Sequence, residues 1–229
     1  MKDVRSIARA LPVEIPVAGG GVFPVRRIYC VGRNYEAHAR EMGFEADREE
    51  PFFFTKPADA IVLDGAAIPY PRMTSNYHHE VELVVALGAA GSEIPVGEAA
   101  AHVFGYAVGL DMTRRDIQIS ARKQGLPWDM SKGFDRSAPC GTIAPAGAAG
   151  HIGQAGIRLS VNGEIRQSSN IANLIWGVDE IIHWLSRYVD LAEGDLIYTG
   201  TPEGVGPVVA GDVLHASIDG LPPLTVSIA

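Results

Sequence analysis

The run His79-Glu80-Val81-Glu82-Leu83-Val84-Val85-Ala86-Leu87, closed by Gly88, constrains this chain more than any other segment. Its aliphatic and β-branched content reads as a strand that stops at the glycine. Two carboxylates stand two residues apart within it, and a strand turns residues i and i+2 to the same face. Val81, Leu83, Val85 and Leu87 point the other way. Two like charges side by side against a core repel each other and lose hydration unless a cation sits between them. A solvated strand face is the other reading of the pair, and spacing alone leaves both open.

A second apolar strand, Val103–Leu110, ends at Asp111, the first acid after eight uncharged residues. A carboxylate there can project from the strand end beside Glu80 and Glu82. Three carboxylates without a Cys/His cluster suit a hard cation, one Mg²⁺ or Mn²⁺ per subunit, with other positions left to oxygen ligands. His78 and His79 precede the pair, but Leu83 stands where H-E-x-x-H needs its second histidine. They are expected in supporting or structural roles, and His102, His151, His183 and His215 carry no partner signal.

The other segments predict a β-rich α+β protein with short helices. Among 229 residues, 26 glycines and 15 prolines favour turns and short strands over a helical bundle. Strands are expected at 27–31, 52–55, 61–63, 196–199, 212–218 and 224–228. Asn162-Gly163 between 158–161 and 164–167 reads as a type I′ hairpin. Helices are expected at 34–42, capped by Asn34 and stopped by Gly43, at 98–102, at 111–124, and at 178–188, capped by Asn170 or Asn173. Residues 144–150 read as a surface loop. Residues 1–26 form a lead, and 27–229 a single catalytic domain with a lid at about 34–46.

A net charge of −8 argues against a nucleic-acid partner, which needs a cationic face. The N-terminal sixteen residues carry Asp3, Arg5 and Arg9 where a secretory signal needs an apolar core. No stretch approaches the length of a membrane span. Cys30 and Cys140 read as reduced buried thiols, so the expectation is a soluble cytoplasmic protein.

Further chemistry gathers around four segments. His38 and Glu41, three apart, share one side of the expected lid helix, and a carboxylate on one ring nitrogen orients a histidine and makes it a better base. Arg115 and Gln118 follow Asp111, and Lys132 sits in the aromatic- and glycine-flanked WDMSKGFD; cations and amides there can hold substrate carboxylates or a developing oxyanion. The loop Thr199–Pro207 is a backbone-exposing turn that presents Thr201. It lacks G-x-G-x-x-G and Gly-Lys-Ser/Thr, and no G-x-S-x-G occurs anywhere, which argues against nucleotide binding and a serine-hydrolase elbow.

With YCVGRNYEAHAREMG (29–43), FFFTKP (52–57), NYHHEVELVVALG (76–88), VFGYAVGLDMTRRDIQ (103–118), PWDMSKGFDRSAP (127–139) and YTGTPEGVGP (198–207) in order, the chain from Arg27 onward resembles the fumarylacetoacetate hydrolase family. The resemblance implies a mixed β-roll, barrel-like fold, a homodimer, and Mg²⁺ or Mn²⁺ on Glu80, Glu82 and Asp111. It implies a water-activating dyad at His38 and Glu41, and catalytic or substrate contacts at Arg115, Gln118, Lys132 and Thr201. Within the family the chain is most similar to the hydrolases that cleave fumarylpyruvate to fumarate and pyruvate in aromatic-acid breakdown. General acylpyruvases, oxaloacetate decarboxylases and oxo-acid isomerases are the alternatives. For fumarylpyruvate the far carboxylate needs a cation, and Arg33, Arg40, Arg72 and Lys123 are candidates. A non-catalytic metal-binding β-protein is the remaining rival, disfavoured because such a protein has no reason to keep three buried carboxylates.

Overall fold

The computed structural model describes residues 12–41, 48, 50–150 and 152–229. Its centre is a mixed sheet in the order Phe52–Lys56, Arg27–Gly32, Asp195–Tyr198, Val81–Leu87, Val103–Leu110, Ala138–Cys140, Ile61–Leu63. Arg27–Gly32 runs parallel to Asp195–Tyr198 and Ala138–Cys140 parallel to Ile61–Leu63, while the remaining neighbours on this path are antiparallel. A second sheet is ordered Glu164–Asn170, Gly156–Val161, Val213–Ile218, Leu224–Ile228, Ala67–Ile68. Tyr77–His79 lies between Thr113–Arg114 and Gly206–Pro207 in a small third sheet.

The alternation along 81–87 explains how these layers meet. Val81, Leu83, Val85 and Leu87 enter a core shared with Ile157, Leu159, Leu214, Ala216 and Val226 of the second sheet. Ile181, Ile182 and Leu185 of the helix Val178–Tyr188 join the same core. Val84 and Ala86 face the opposite way, into a core rich in small side chains: Cys30, Ala60, Ala107, Ala138 and Cys140. Small residues on one face let the sheet curl into a half-barrel, whereas large ones on the other hold it against its neighbour. A hairpin of Val13–Pro16 and Val22–Val25 packs Ile15 and Phe23 onto the small-residue face.

Several local expectations are met, others corrected. Asn162 and Gly163 have φ of 52° and 83°, as a type I′ turn requires. The helix expected from Asp111 begins only at Arg115 and runs to Gln124, because Thr113–Arg114 first pairs with Tyr77–His79. Asn34 caps no helix: its amide ties Trp176 and Thr199 together, and the lid helix spans Glu36–Glu41. The expected continuation over 42–46 lies outside the described residues. Asn170 caps the short turn Ile171–Asn173, while the helix at 178 takes its first cap from Glu180 bonding back to the Gly177 amide. Residues 144–150 form a two-residue strand beside Val103–Leu110 and a short helix, Ala146–Ala149, in place of a loop. Among the described residues no helix is long and apolar enough to cross a membrane.

Gly109 is required where the central strands carry the acidic cluster. It sits opposite Glu82 in the ladder, and a Cβ there would lie 2.4 Å from Val84 Cγ2 and 2.7 Å from Tyr198 Cε1. Tyr198 cannot yield, since it is buried and its hydroxyl donates to the carbonyls of Ala138 and Pro139. Gly109→Ala is expected to lower unfolding free energy by about 1–3 kcal/mol through overpacking, read as a shifted urea midpoint; an unshifted midpoint would mean the strand pair relaxes freely.

Candidate active site

Strand pairing places the carboxylates. The Asp111 amide donates to the Glu80 carbonyl at 2.8 Å, so the end of Val103–Leu110 is locked beside the start of Val81–Leu87. Glu80, Glu82 and Asp111 are all buried, at 4%, 2% and 1% exposure, which rules out a solvated face for the pair. One carboxylate oxygen from each lies within 4.8 Å of those of the other two.

Three buried cations face them. Lys132, at the end of the turn Asp129–Lys132, donates to Glu80 Oε2 at 2.7 Å, Asp111 Oδ2 at 2.6 Å and the Thr113 hydroxyl at 2.7 Å. Arg115, in the first turn of Arg115–Gln124, pairs with Glu80 and with the Gln118 carbonyl oxygen. Lys56, closing the Phe52–Lys56 strand, places Nζ 2.8 Å from Asp111 Oδ1 and donates to the Met112 and Lys132 carbonyls. The Lys56 contact is an ion pair off the hydrogen-bond line, so Asp111 Oδ1 is buried without a hydrogen-bond partner.

Protonation follows from these neighbours. Burial alone would raise the Glu80 carboxyl, but Lys132 and Arg115 hold it well below the usual carboxylate range. Glu82 moves the other way. Burial, then the charges of Asp111 and Glu80, push it well above that range, against the pull of Lys132 and the Gly200 amide. Lys132 stays charged, because Asp111 and Glu80 outweigh its desolvation. The cluster thus offers three hard oxygen donors, one buried Asp111 oxygen that meets the Lys56 ammonium but accepts no hydrogen bond among the described residues, and a Glu82 carboxyl that burial and two neighbouring carboxylates push toward its protonated form. That set fits a divalent oxygen-seeking cation bound by Glu80, Glu82 and Asp111.

The rim is built from distant segments. On the helix Glu36–Glu41, His38 is 7% exposed and its Nδ1 lies 3.3 Å from Glu41 Oε2. Glu41 also accepts the Gly204 amide at 3.2 Å, tying this helix to the loop that carries Thr201. Val31, Arg33, His38, Glu80, Glu82 and Asp111 line one small chamber together with Arg115, Gln118, Lys132 and Thr201. Every proposed site residue except Glu41 lines that chamber, and Glu41 touches it through His38. Arg40 instead pairs with Glu36 and lines a separate cleft, and neither Arg72 nor Lys123 lines the chamber.

The histidines before the pair have structural partners. His79 Nδ1 lies 3.0 Å from Gln167 Oε1, and His78 meets Asn76 and Arg115. Burial and then the Arg115 charge lower His78 to about 4, which keeps it neutral. His102, His183 and His215 contact Ala89, Ile94 and Thr225, while His151 lies outside the described residues.

Lys56, Gln167 and Asn34 are functional neighbours that sequence reasoning missed. Gln167 is 1% exposed; its Oε1 accepts from the Val81 amide, and its Nε2 donates to Thr201 Oγ1 at 2.8 Å and to the Pro202 carbonyl at 2.9 Å. It therefore ties the strand carrying Glu82 to the loop presenting Thr201. Asn34 donates to the Thr199 carbonyl at 2.8 Å, and the Gly200 amide donates to Glu82 Oε2 at 2.8 Å. No local pattern in the sequence marks these amides, since their partners lie between 34 and 165 residues away.

With this geometry established, likeness to known proteins becomes informative. The profile described as Fumarylacetoacetate (FAA) hydrolase C-terminal matches residues 27–229. A fumarylpyruvate hydrolase of Ralstonia sp is 47% identical over 189 residues, 82% of this chain and 98% of that protein. The mitochondrial oxaloacetate tautomerase of Homo sapiens is 41% identical over 203 residues, 89% of this chain and 91% of its own. The crystal structure of fumarylpyruvate hydrolase from Pseudomonas aeruginosa in complex with Mn²⁺ and pyruvate superposes with a TM-score of 0.95 at 54% identity, covering 97% of this chain and 98% of that one. The match extends across both sheets and every segment that lines the chamber, and the chain belongs to the fumarylacetoacetate hydrolase family.

Proposed function

We propose that this protein is a divalent-metal-dependent hydrolase that cleaves a carbon–carbon bond of a 2,4-dioxo acid, fumarylpyruvate being converted to fumarate and pyruvate. The observation that carries the reading is the convergence of the buried Glu80–Glu82–Asp111 cluster and the His38–Glu41 dyad on one chamber. The relatives at 47% and 54% identity choose the substrate. Mg²⁺ or Mn²⁺ would be held by Glu80, Glu82 and Asp111, and when bound it supplies positive charge to the oxygens of the dioxo acid.

The chain's own residues divide the remaining work. With Nδ1 held by Glu41, His38 has Nε2 to take a proton from water, and the hydroxide adds to the carbonyl of the acyl group. Gln118 has its carbonyl oxygen committed to Arg115, so its amide N–H₂ is the end that steadies the oxyanion. Lys132 has all three donors on Glu80, Asp111 and Thr113. With a divalent cation on the same carboxylates, Lys132 would have a donor to spare for the oxyanion. Collapse of the tetrahedral adduct breaks the bond between the acyl carbon and the methylene. The electron pair leaves with the methylene as pyruvate enolate, and that carbon regains a proton, releasing pyruvate and fumarate. Arg33, Arg115 and Thr201 hold the substrate, and the lid excludes bulk water.

We further read residues 27–229 as one catalytic domain, preceded by 1–26, in a cytoplasmic homodimer. The two free buried thiols support the compartment. Met73, Leu126, Met130 and Val209, between 53% and 85% exposed, are apolar side chains that a second copy could cover. Light scattering on the purified protein is expected to give twice the chain mass, and the chain mass alone would overturn the dimer.

Absorbance of fumarylpyruvate should decay fast with Mn²⁺ or Mg²⁺ and stop on chelation, with fumarate and pyruvate formed in equal amounts. Decarboxylation of oxaloacetate without cleavage of fumarylpyruvate would overturn the proposal in favour of the decarboxylase reading. His38→Ala is expected to lower kcat by about 10²–10⁴-fold while calorimetry shows Mn²⁺ binding retained; unchanged turnover would remove the dyad from the mechanism.

A further inference from the structure

The chamber opens outward into an aromatic-walled groove of about 680 Å³. Phe52 and Phe54 form one wall against Trp128, with ring centroids 5.1 Å and 5.8 Å from it. Arg33, Phe54, Arg122, Trp128 and Lys132 line both the chamber and the groove, so two arginines stand at the mouth between them. Arg122 reaches this place by helical phase. Arg115, Gln118, Ile119 and Arg122 recur at spacings of three, four and seven, which is one face of Arg115–Gln124. Arg33 arrives from a different segment, just after the strand Arg27–Gly32, with φ of 59°, a left-handed conformation that a non-glycine residue seldom holds, and its guanidinium lies 5.8 Å from the Phe52 ring centre.

We propose that Arg122, together with Arg33, binds the terminal carboxylate of the substrate's acyl group and makes this enzyme selective for dicarboxylic acylpyruvates. The inference rests on the hydrolase reading given above. A 2,4-dioxo acid that meets Arg115, Gln118 and Lys132 with its first carboxylate and its oxo oxygens extends its acyl chain toward the mouth. A flat conjugated chain can lie along the aromatic wall that Phe52, Phe54 and Trp128 form together, and its far carboxylate meets two permanently charged forks suited to bidentate bonds. Lys123, next in sequence, is carried off this face by the same helical phase.

Arg122→Met and Arg122→Lys test the assignment on fumarylpyruvate against acetylpyruvate, which ends in a methyl group. Arg122→Met is expected to lower the ratio of kcat/KM for the first over the second by about 10–100-fold, through KM, and Arg122→Lys to restore part of it. A ratio that stays put, or a loss that falls equally on both substrates, overturns the inference while leaving the hydrolase reading intact. Absence of wild-type turnover on fumarylpyruvate would be the failure of that reading instead. The inference is then decided by calorimetry with fumarate and crotonate, which differ in the second carboxylate: a wild-type preference for fumarate that vanishes in Arg122→Met supports it, and equal binding of the two acids by the wild type overturns it.

Discussion

Three carboxylates sit in the interior of this protein within reach of one another, and the surrounding architecture is arranged to tolerate them. Uncompensated, even one such buried charge would cost several kcal/mol. Lys56, Lys132 and Arg115 supply compensation from three separate segments, each ion pair joining residues between 21 and 55 apart along the chain. The sheet order therefore has an electrostatic reason as well as a hydrophobic one. The strand ending in Lys56, the strand beginning after Glu80, and the turn ending in Lys132 must meet, or the charges are left unpaired in apolar surroundings.

Compensation is deliberately short of complete in its consequences. Lys132 and Arg115 hold Glu80 well below the usual carboxylate range, whereas burial and the charges of Asp111 and Glu80 push Glu82 well above it. The cluster is thus satisfied enough to fold and unsatisfied enough to attract further positive charge. Asp111 Oδ1 expresses the same incompleteness in geometry, with an ammonium nearby but no hydrogen bond directed to it.

How much of this was legible in the sequence varies with how local the signal is. Glu80 and Glu82 could be read because two charges at a period of two interrupt an otherwise apolar strand, and Asp111 because it follows eight uncharged residues. His38 and Glu41 declare themselves by helical spacing, and Asn162-Gly163 by turn chemistry. Lys56 could not be read, since a lysine after FFFT looks like the solvated end of an edge strand. Gln167 and Asn34 were invisible for a different reason: an amide takes its role from partners that the topology brings, and no spacing rule links residue 34 to 199 or 167 to 201. By local pattern Asn34 reads as a helix cap, the commoner use of asparagine before a helical run. Arg122 lies between these cases, because its side of the helix follows from Arg115 and Gln118 once the start of the helix is known, and that start was displaced by the short strand Thr113–Arg114.

Glu41 joins two tasks that could have been kept apart. The carboxylate that orients the His38 ring is also the acceptor for the Gly204 amide on the facing loop. Both contacts hang on one side chain, so the orientation of the His38 ring and the attachment of its helix to the Gly204 loop stand or fall together. A substitution at Glu41 is felt at two places at once, in the chamber and on the loop that carries Thr201.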